Sequence, residues 1–274
     1  MLSVIIPASD EAEWIGRCLA ALLRSDPVPG GAEVIVVANG CRDGTVPVAQ
    51  GFASRAERAG WGFTVLDLPA GSKPGALNAG DAVAEGDLRA YLDADVTVAA
   101  EVMAQLALAL AGRDGLYAGA TPVIPRAESW ITRAYGRFWL RLPFARSVAP
   151  GYGLFAVNAA GRARWDEFPR IISDDTFARL QFRPEERVQV PGAYDWPMIE
   201  GFGALVRVRR RLDAGLAELA ALYPGILDRE GKASLSTGRL TRMALADPVG
   251  FAVYEAVSLS VRSGRKGSAA TRGP

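Results

Sequence analysis

Short β-branched runs alternate with amphipathic stretches over the first 125 residues, a pattern that implies parallel strands covered by helices. Strands are expected near 2–6, 33–38, 63–68 and 88–92. Between the first two, Ile15, Cys18, Leu19 and Leu22 recur at helical spacing, so this stripe faces the sheet and Cys18 is a core residue. Ser72 opens a helical segment through Val83, and the alanine- and leucine-rich run from Ala99 to Ala111 predicts a second crossover helix. A strand near 115–123 and a helix near 127–141 follow. The two prolines and two glycines of Leu142 to Gly153 then predict a loop suited to gate a site. Beyond it the pattern gives a short strand from 154, a helix over 174–182, a strand near 187–191 and a long helix over 198–222. Residues 223–238 read as loop. Asp247 followed by Pro248 is a helix start, with the final helix expected to reach about Arg262 and residues 263–274 to lack fixed structure.

Half of the 274 residues are apolar, enough for a sizeable core, and 31 basic against 30 acidic residues leave no electrostatic case for a nucleic-acid partner. The absence of histidine removes serine–histidine triads and histidine-ligated zinc, so chemistry rests on carboxylates or a metal. Cys18 and Cys41 are too few for a disulfide framework and read as free thiols in a reducing, cytoplasmic compartment. The opening Met-Leu-Ser-Val-Ile-Ile-Pro reads as a strand rather than a signal peptide. The apolar stretch from Val249 to Val261 is broken by Glu255, so no transmembrane helix is expected.

Four segments fall just after predicted strands, where open α/β sheets place ligands: Pro7 to Glu11, Ala38 to Thr45, Lys73 to Asn78, and Tyr91 to Asp95. The last ends in Asp93-Ala94-Asp95, two carboxylates whose hard oxygens suit magnesium or manganese, against the blander reading of a solvated turn. Farther on, Asp174 and Asp175 open a helix, where acidic side chains are also favoured for electrostatic reasons alone.

Together these segments resemble a family 2 glycosyltransferase of the GT-A fold over roughly residues 2–215. The resemblance implies a Rossmann-like, mostly parallel α/β sheet flanked by helices. Its domain would span 1–222, with a nucleotide-binding half to about 98 and an acceptor-binding half over 99–222. A C-terminal helical extension over 223–262 would follow. Pro7, Ala8, Asp10 and Glu11 match the first nucleotide loop, and Ala38 to Thr45, with Asp43, match the second. Asn39 stands where the family has an aspartate on the base, which leaves the base open; an amide both donates and accepts and so can still read a base edge, and uridine or thymidine diphosphate sugars are the favoured donors. Lys73 and Asn78 match residues near the diphosphate, and Asp93 and Ala94 those at the ribose and metal. Asp95 matches the metal ligand, and Asp175 the general base of an inverting transfer to a hydroxyl, with Asp174 beside it. Gly151-Tyr152-Gly153 resembles the turn beside the donor sugar, with Tyr152 and Trp165 as possible sugar platforms or core residues. Arg211 occupies the arginine position of the processive synthases, where it would touch phosphate or lie on a solvated helix face.

The glutamine and tryptophan of that synthase segment are replaced by Val208 and Leu212, which argues against a processive enzyme. A sugar-phosphate nucleotidyltransferase would need a glycine-rich, arginine-containing turn after the first strand, and none is present. A non-catalytic nucleotide-sugar-binding scaffold on the same fold is the alternative of a different class. The helix after Asp247 and its basic tail fit a packing or dimerising helix. They also fit peripheral contact with the inner face of an anionic membrane carrying a lipid-linked acceptor.

Overall fold

The computed structural model describes residues 1–112, 114–231 and 235–270, the stretch 264–270 as backbone alone. In chain order the elements are β1 (Leu2–Ala8), α1 (Ile15–Leu22), β2 (Ala32–Asn39), α2 (Thr45–Gln50), α3 (Ala53–Arg58), β3 (Gly62–Leu68) and α4 (Lys73–Val83). Then come β4 (Leu88–Leu92), β5 (Thr97–Val98), α5 (Val102–Ala109), β6 (Tyr117–Val123), α6 (Trp130–Trp139), β7 (Leu154–Asn158) and α7 (Ala159–Arg162). The chain closes with α8 (Asp174–Arg179), β8 (Arg187–Asp195), α9 (Phe202–Leu222), α10 (Thr237–Ala246) and α11 (Pro248–Ala270).

One eight-stranded sheet, in the order β3-β2-β1-β4-β7-β6-β8-β5, organises the molecule. Every residue of β1 and β2 is buried, as helices on both faces of a parallel sheet demand; this is why both strands are mostly apolar, with the buried Ser3 and Glu33 hydrogen-bonded to each other. On one face α1 lays Ile15, Cys18, Leu19 and Leu22 into the core, and on the other α4 lays in Ala76 and Leu77. The sheet is mixed. β3, β2, β1 and β4 run parallel, but β7 is antiparallel to both β4 and β6, and β5 to β8. Reversal at β7 has a direct consequence for the site. Because Leu92 pairs with Leu154, the turn entering β7 lies at the same sheet edge as the loop leaving β4.

A third apolar cluster joins α6, α9 and α11 through Phe138, Leu205, Val206, Val257 and Val261, so the C-terminal extension packs on the rest of the chain. Asp247 accepts two hydrogen bonds from Arg137 of α6, at 2.7 and 2.9 Å, and caps α11 through the Gly250 N–H. Several boundaries differ from those expected. α11 continues to Ala270 where 263–274 was expected to lack structure; residues 271–274 lie outside the described residues. The expected loop 142–153 contains a 3₁₀ turn at Pro143–Arg146, and 223–238 contains another at Ile226–Glu230.

Candidate active site

The two loops that leave β1 and β2 are stitched to each other. Asp10, held in a left-handed conformation (φ 57°), accepts the Arg42 N–H at 2.7 Å, and Asp43 accepts the N–H groups of Ala12 and Thr45. The Glu11 N–H donates to the Thr45 hydroxyl. These contacts hold Asp43 below the usual carboxylate range, the Thr45 hydroxyl first among them. Asn39 lies beneath the pair, buried. Its amide donates to the Ala8 and Val37 carbonyls and accepts the Ser72 N–H, so it braces three loop stems. Asn78 is also turned inward, exchanging two hydrogen bonds with the backbone of Phe168.

Ser72 caps α4 by accepting the Gly75 N–H, which fixes Lys73 at the first helical position. From there the Lys73 ammonium reaches Asp93 at 2.8 Å and Asp174 at 3.4 Å, joining the end of β4 to the start of α8. Burial alone would depress Lys73; the charges of Asp93, Asp174 and Asp175 outweigh it and raise the group above its ordinary value. A narrow cleft is lined by Pro7, Lys73, Asp93, Gly151, Asp174 and Asp175, with Tyr91 and Phe155 among its apolar walls. Residues from four separate stretches of chain thus converge. Asp174 is 5% exposed, and its burial, opposed by Lys73, leaves it at about 6. Asp175 is half-buried, and the hydrogen bond described for it is acceptance of the Thr176 N–H.

Negative charge is in excess at this edge. Burial and the Asp93 carboxylate push Asp95 up to about 6, and burial with Asp95 and Asp93 pushes Glu11 up to about 7. A divalent cation would relieve both, and two aspartates separated by the buried Ala94 offer the hard oxygens it takes, so the residues fit one. Among the described residues a second close group, Asp10, Cys41 and Asp43, sits on the stitched loops.

On the far side of the cleft the Gly153 carbonyl accepts the Asp93 N–H at 2.8 Å, and Gly151 has φ 80°. A side chain at 151 would meet the Tyr117 hydroxyl at 2.3 Å, so glycine is required by both conformation and space. Of the two aromatic platforms considered, Trp165 is a core residue, packed edge-on against Phe168 and Phe177. Tyr152 stacks on Trp196 at 5.1 Å with its hydroxyl on the Phe144 carbonyl. Arg211 is exposed on α9, one turn before Gly215, which packs against Ile172 and Ser173. Tyr117, Trp196 and Arg179 were not picked out from sequence; only Arg179, four residues after Asp175 on one helix, carried a readable signal.

The chain matches the sequence profile described as Glycosyl transferase family 2 over residues 3–163, more than half of its length. It belongs to that family. Family 2 relatives include glycosyltransferase AglE of Haloferax volcanii, 36% identical over 94 residues, which are 34% of this chain and 30% of that protein. An N-acetylglucosaminyltransferase of Rhizobium leguminosarum bv. viciae is 29% identical over 157 residues, 56% of this chain and 36% of that one. These matches therefore span about a third of the curated relatives. Among solved structures, the mannosyltransferase PcManGT from Pyrobaculum calidifontis in complex with GDP-Man and Mn2+ superposes with TM-score 0.60 at 19% identity, covering 100% of this chain and 76% of that one. S. aureus TarS 1–349 in complex with UDP gives 0.55 at 14% identity, covering 96% and 91%. The family 2 domain thus has the GT-A fold anticipated from its motifs. No helix among the described residues is long and apolar enough to cross a membrane.

Proposed function

We propose that the chain moves a single sugar from a nucleoside diphosphate sugar to an acceptor hydroxyl, with inversion at the anomeric carbon. The observation that carries this reading is the convergence of Lys73, Asp93, Asp174 and Asp175 on one cleft. The acceptor oxygen forms its bond to the anomeric carbon as the bond from that carbon to the diphosphate oxygen breaks; the hydroxyl proton passes to Asp175. Asp175 is favoured over Asp174 as base because Asp174 is buried and held by Lys73, whereas Asp175 is half-buried beside the cleft. Lys73 lies where its ammonium would meet the diphosphate, and Pro7, Ala8, Asp10, Glu11 and Asp43 supply the loops around the nucleoside. Magnesium or manganese held by Asp95 and Asp93 would neutralise charge on the departing diphosphate. Solved neighbours carry GDP-Man with Mn2+ and UDP; a uridine or thymidine donor is the reading for this chain.

Calorimetric titration with UDP, dTDP, GDP and CDP, with manganese and without it, tests the donor side. One nucleotide should bind only with metal, and Asp95→Ala should abolish that binding. Asp175→Asn should lower kcat by on the order of a thousandfold and leave nucleotide affinity unchanged. Turnover intact in Asp175→Asn would remove the assigned base, and no donor consumption with any acceptor would favour the scaffold reading.

A second reading concerns the outer face of the extension. Leu245, Val249 and Leu259 are 78%, 55% and 57% exposed, Arg262 is exposed on the same final helix as the last two, and the residues after Glu255 include basic but no acidic side chains. Apolar surface accompanied by cations suits peripheral contact with an anionic membrane bearing a lipid-linked acceptor. Vesicles containing phosphatidylglycerol should float the protein, and Leu245→Glu with Leu259→Glu should stop it. A concentration-dependent dimer lost in the same variant, without flotation, would assign the face to a second copy.

A further inference from the structure

Behind Asp175 lies a second set of polar groups that the transfer reaction leaves unused. Arg179 follows Asp175 by one turn of α8 and is 4% exposed. One of its nitrogens is paired with the Glu230 carboxylate, at the end of the 226–230 turn, while Nη1 has no hydrogen-bond acceptor among the described residues. Arg187 is buried next to it and spends two nitrogens on the carbonyls of Phe182, Arg229 and Glu230; its Nε has no acceptor. Burial first, and the Arg179 charge second, hold Arg187 below its ordinary value. The Tyr117 hydroxyl is fully buried, has no acceptor among the described residues either, and lies behind Gly151, which itself lines the cleft. Three buried donors without acceptors are costly, and two guanidinium groups side by side repel. One ligand chemistry answers all of these: an oxyanion.

We propose that Arg179, Arg187 and Tyr117 form an anion subsite on the acceptor side of Asp175, occupied in the free protein by the Glu230 carboxylate, which an anionic group of the acceptor displaces. The ligand is a phosphate monoester or a carboxylate on the molecule whose hydroxyl is glycosylated. Its role as an acceptor site rests on the reading of Asp175 as the base. The anion site itself does not, and can be tested without turnover.

The full chain is titrated in metal-free buffer with inorganic phosphate and, separately, with acetate, and folding of each variant is followed by circular dichroism. Phosphate or acetate should bind the unmodified protein weakly, bind Glu230→Gln at least about tenfold more tightly, and fail to bind Arg179→Gln. A response to phosphate alone assigns a phosphorylated acceptor, and a response to acetate alone a carboxylated one. Asp95→Asn should lose metal-dependent nucleotide binding and keep the anion; loss of both would place the anion in the donor site and overturn the proposal. So would folded Glu230→Gln that binds neither anion, or binds no more tightly than the unmodified chain. If Arg179→Gln does not fold, the Glu230→Gln comparison and Tyr117→Phe, expected to weaken the anion severalfold, decide the matter.

Discussion

At Asn39 an amide sits where the family pattern has a carboxylate, and its hydrogen bonds need the amide's donor. Its NH2 faces two carbonyl oxygens, those of Ala8 and Val37. In Asn39→Asp a carboxylate would replace that donor against the same acceptors, so a loss of about 2–4 kcal/mol is expected in denaturant unfolding, with nucleotide binding weakened through the displaced loops. Single positions also divide sharply in how readable they are. Asp93, at a strand end, and Asp175, at a helix start, meet with Lys73 on one cleft, and Asp95 follows on the loop that carries Asp93. Asn39 and Asn78 each carry a motif letter, and what the letters do not show is that both side chains hydrogen-bond backbone, in the case of Asn78 that of Phe168, 90 residues away. No local spacing encodes a partner so distant. Tyr117 reads as an ordinary strand aromatic, and only its position under Gly151 gives it meaning.

Among the elements, β1 and β2 were plain in the sequence because burial on both faces leaves mostly apolar, β-branched runs, and α1 because its buried stripe keeps helical spacing. The two-residue β5 has no pattern to read; it exists because Thr97 and Val98 pair with Asp195 and Tyr194. No residue of α10 is buried, so it too lacks a stripe. The reversal at β7 was not visible either, since alternation does not report strand direction. At this scale the contact most open to test is that between α9 and the segment leading into α8. A Cβ at Gly215 would lie 2.2 Å from the Ser173 hydroxyl and 3.1 Å from Ile172. Gly215→Ala should therefore push the start of α8 away from Lys73, lowering kcat at least about tenfold through misplaced Asp175 while costing about 1–3 kcal/mol of stability. Kinetics together with a melting curve checks both parts, and unchanged kcat in a destabilised protein would detach α9 from the site.

For the whole molecule, the join between the extension and the body has a pH signature. Hydrogen bonding from Arg137 holds Asp247 below its ordinary value, so the folded state binds its proton less readily than the unfolded chain does. The resulting stabilisation is fully present above the unfolded aspartate value, about 3.9, and is lost as pH falls below it through the lowered folded value. Asp247→Asn should cost about 1–2 kcal/mol at neutral pH, and the difference in melting temperature between the two proteins should close between about pH 4 and 3. A gap that stayed constant down to pH 3 would mean that the ionised pair does not fasten α11.

Lys73 touches both Asp93 and Asp174 with a single ammonium; on the proposed reading these are the donor and acceptor ends of the cleft, and one charge shared between two binding partners makes their occupancies thermodynamically linked. Any diphosphate that draws Lys73 towards itself loosens Asp174 before an acceptor arrives. Steady-state kinetics should then be ordered, donor first, and hydrogen exchange over 172–176 should change when nucleotide alone is bound. In Lys73→Met that remote response should vanish, leaving the two ends of the cleft to fill independently.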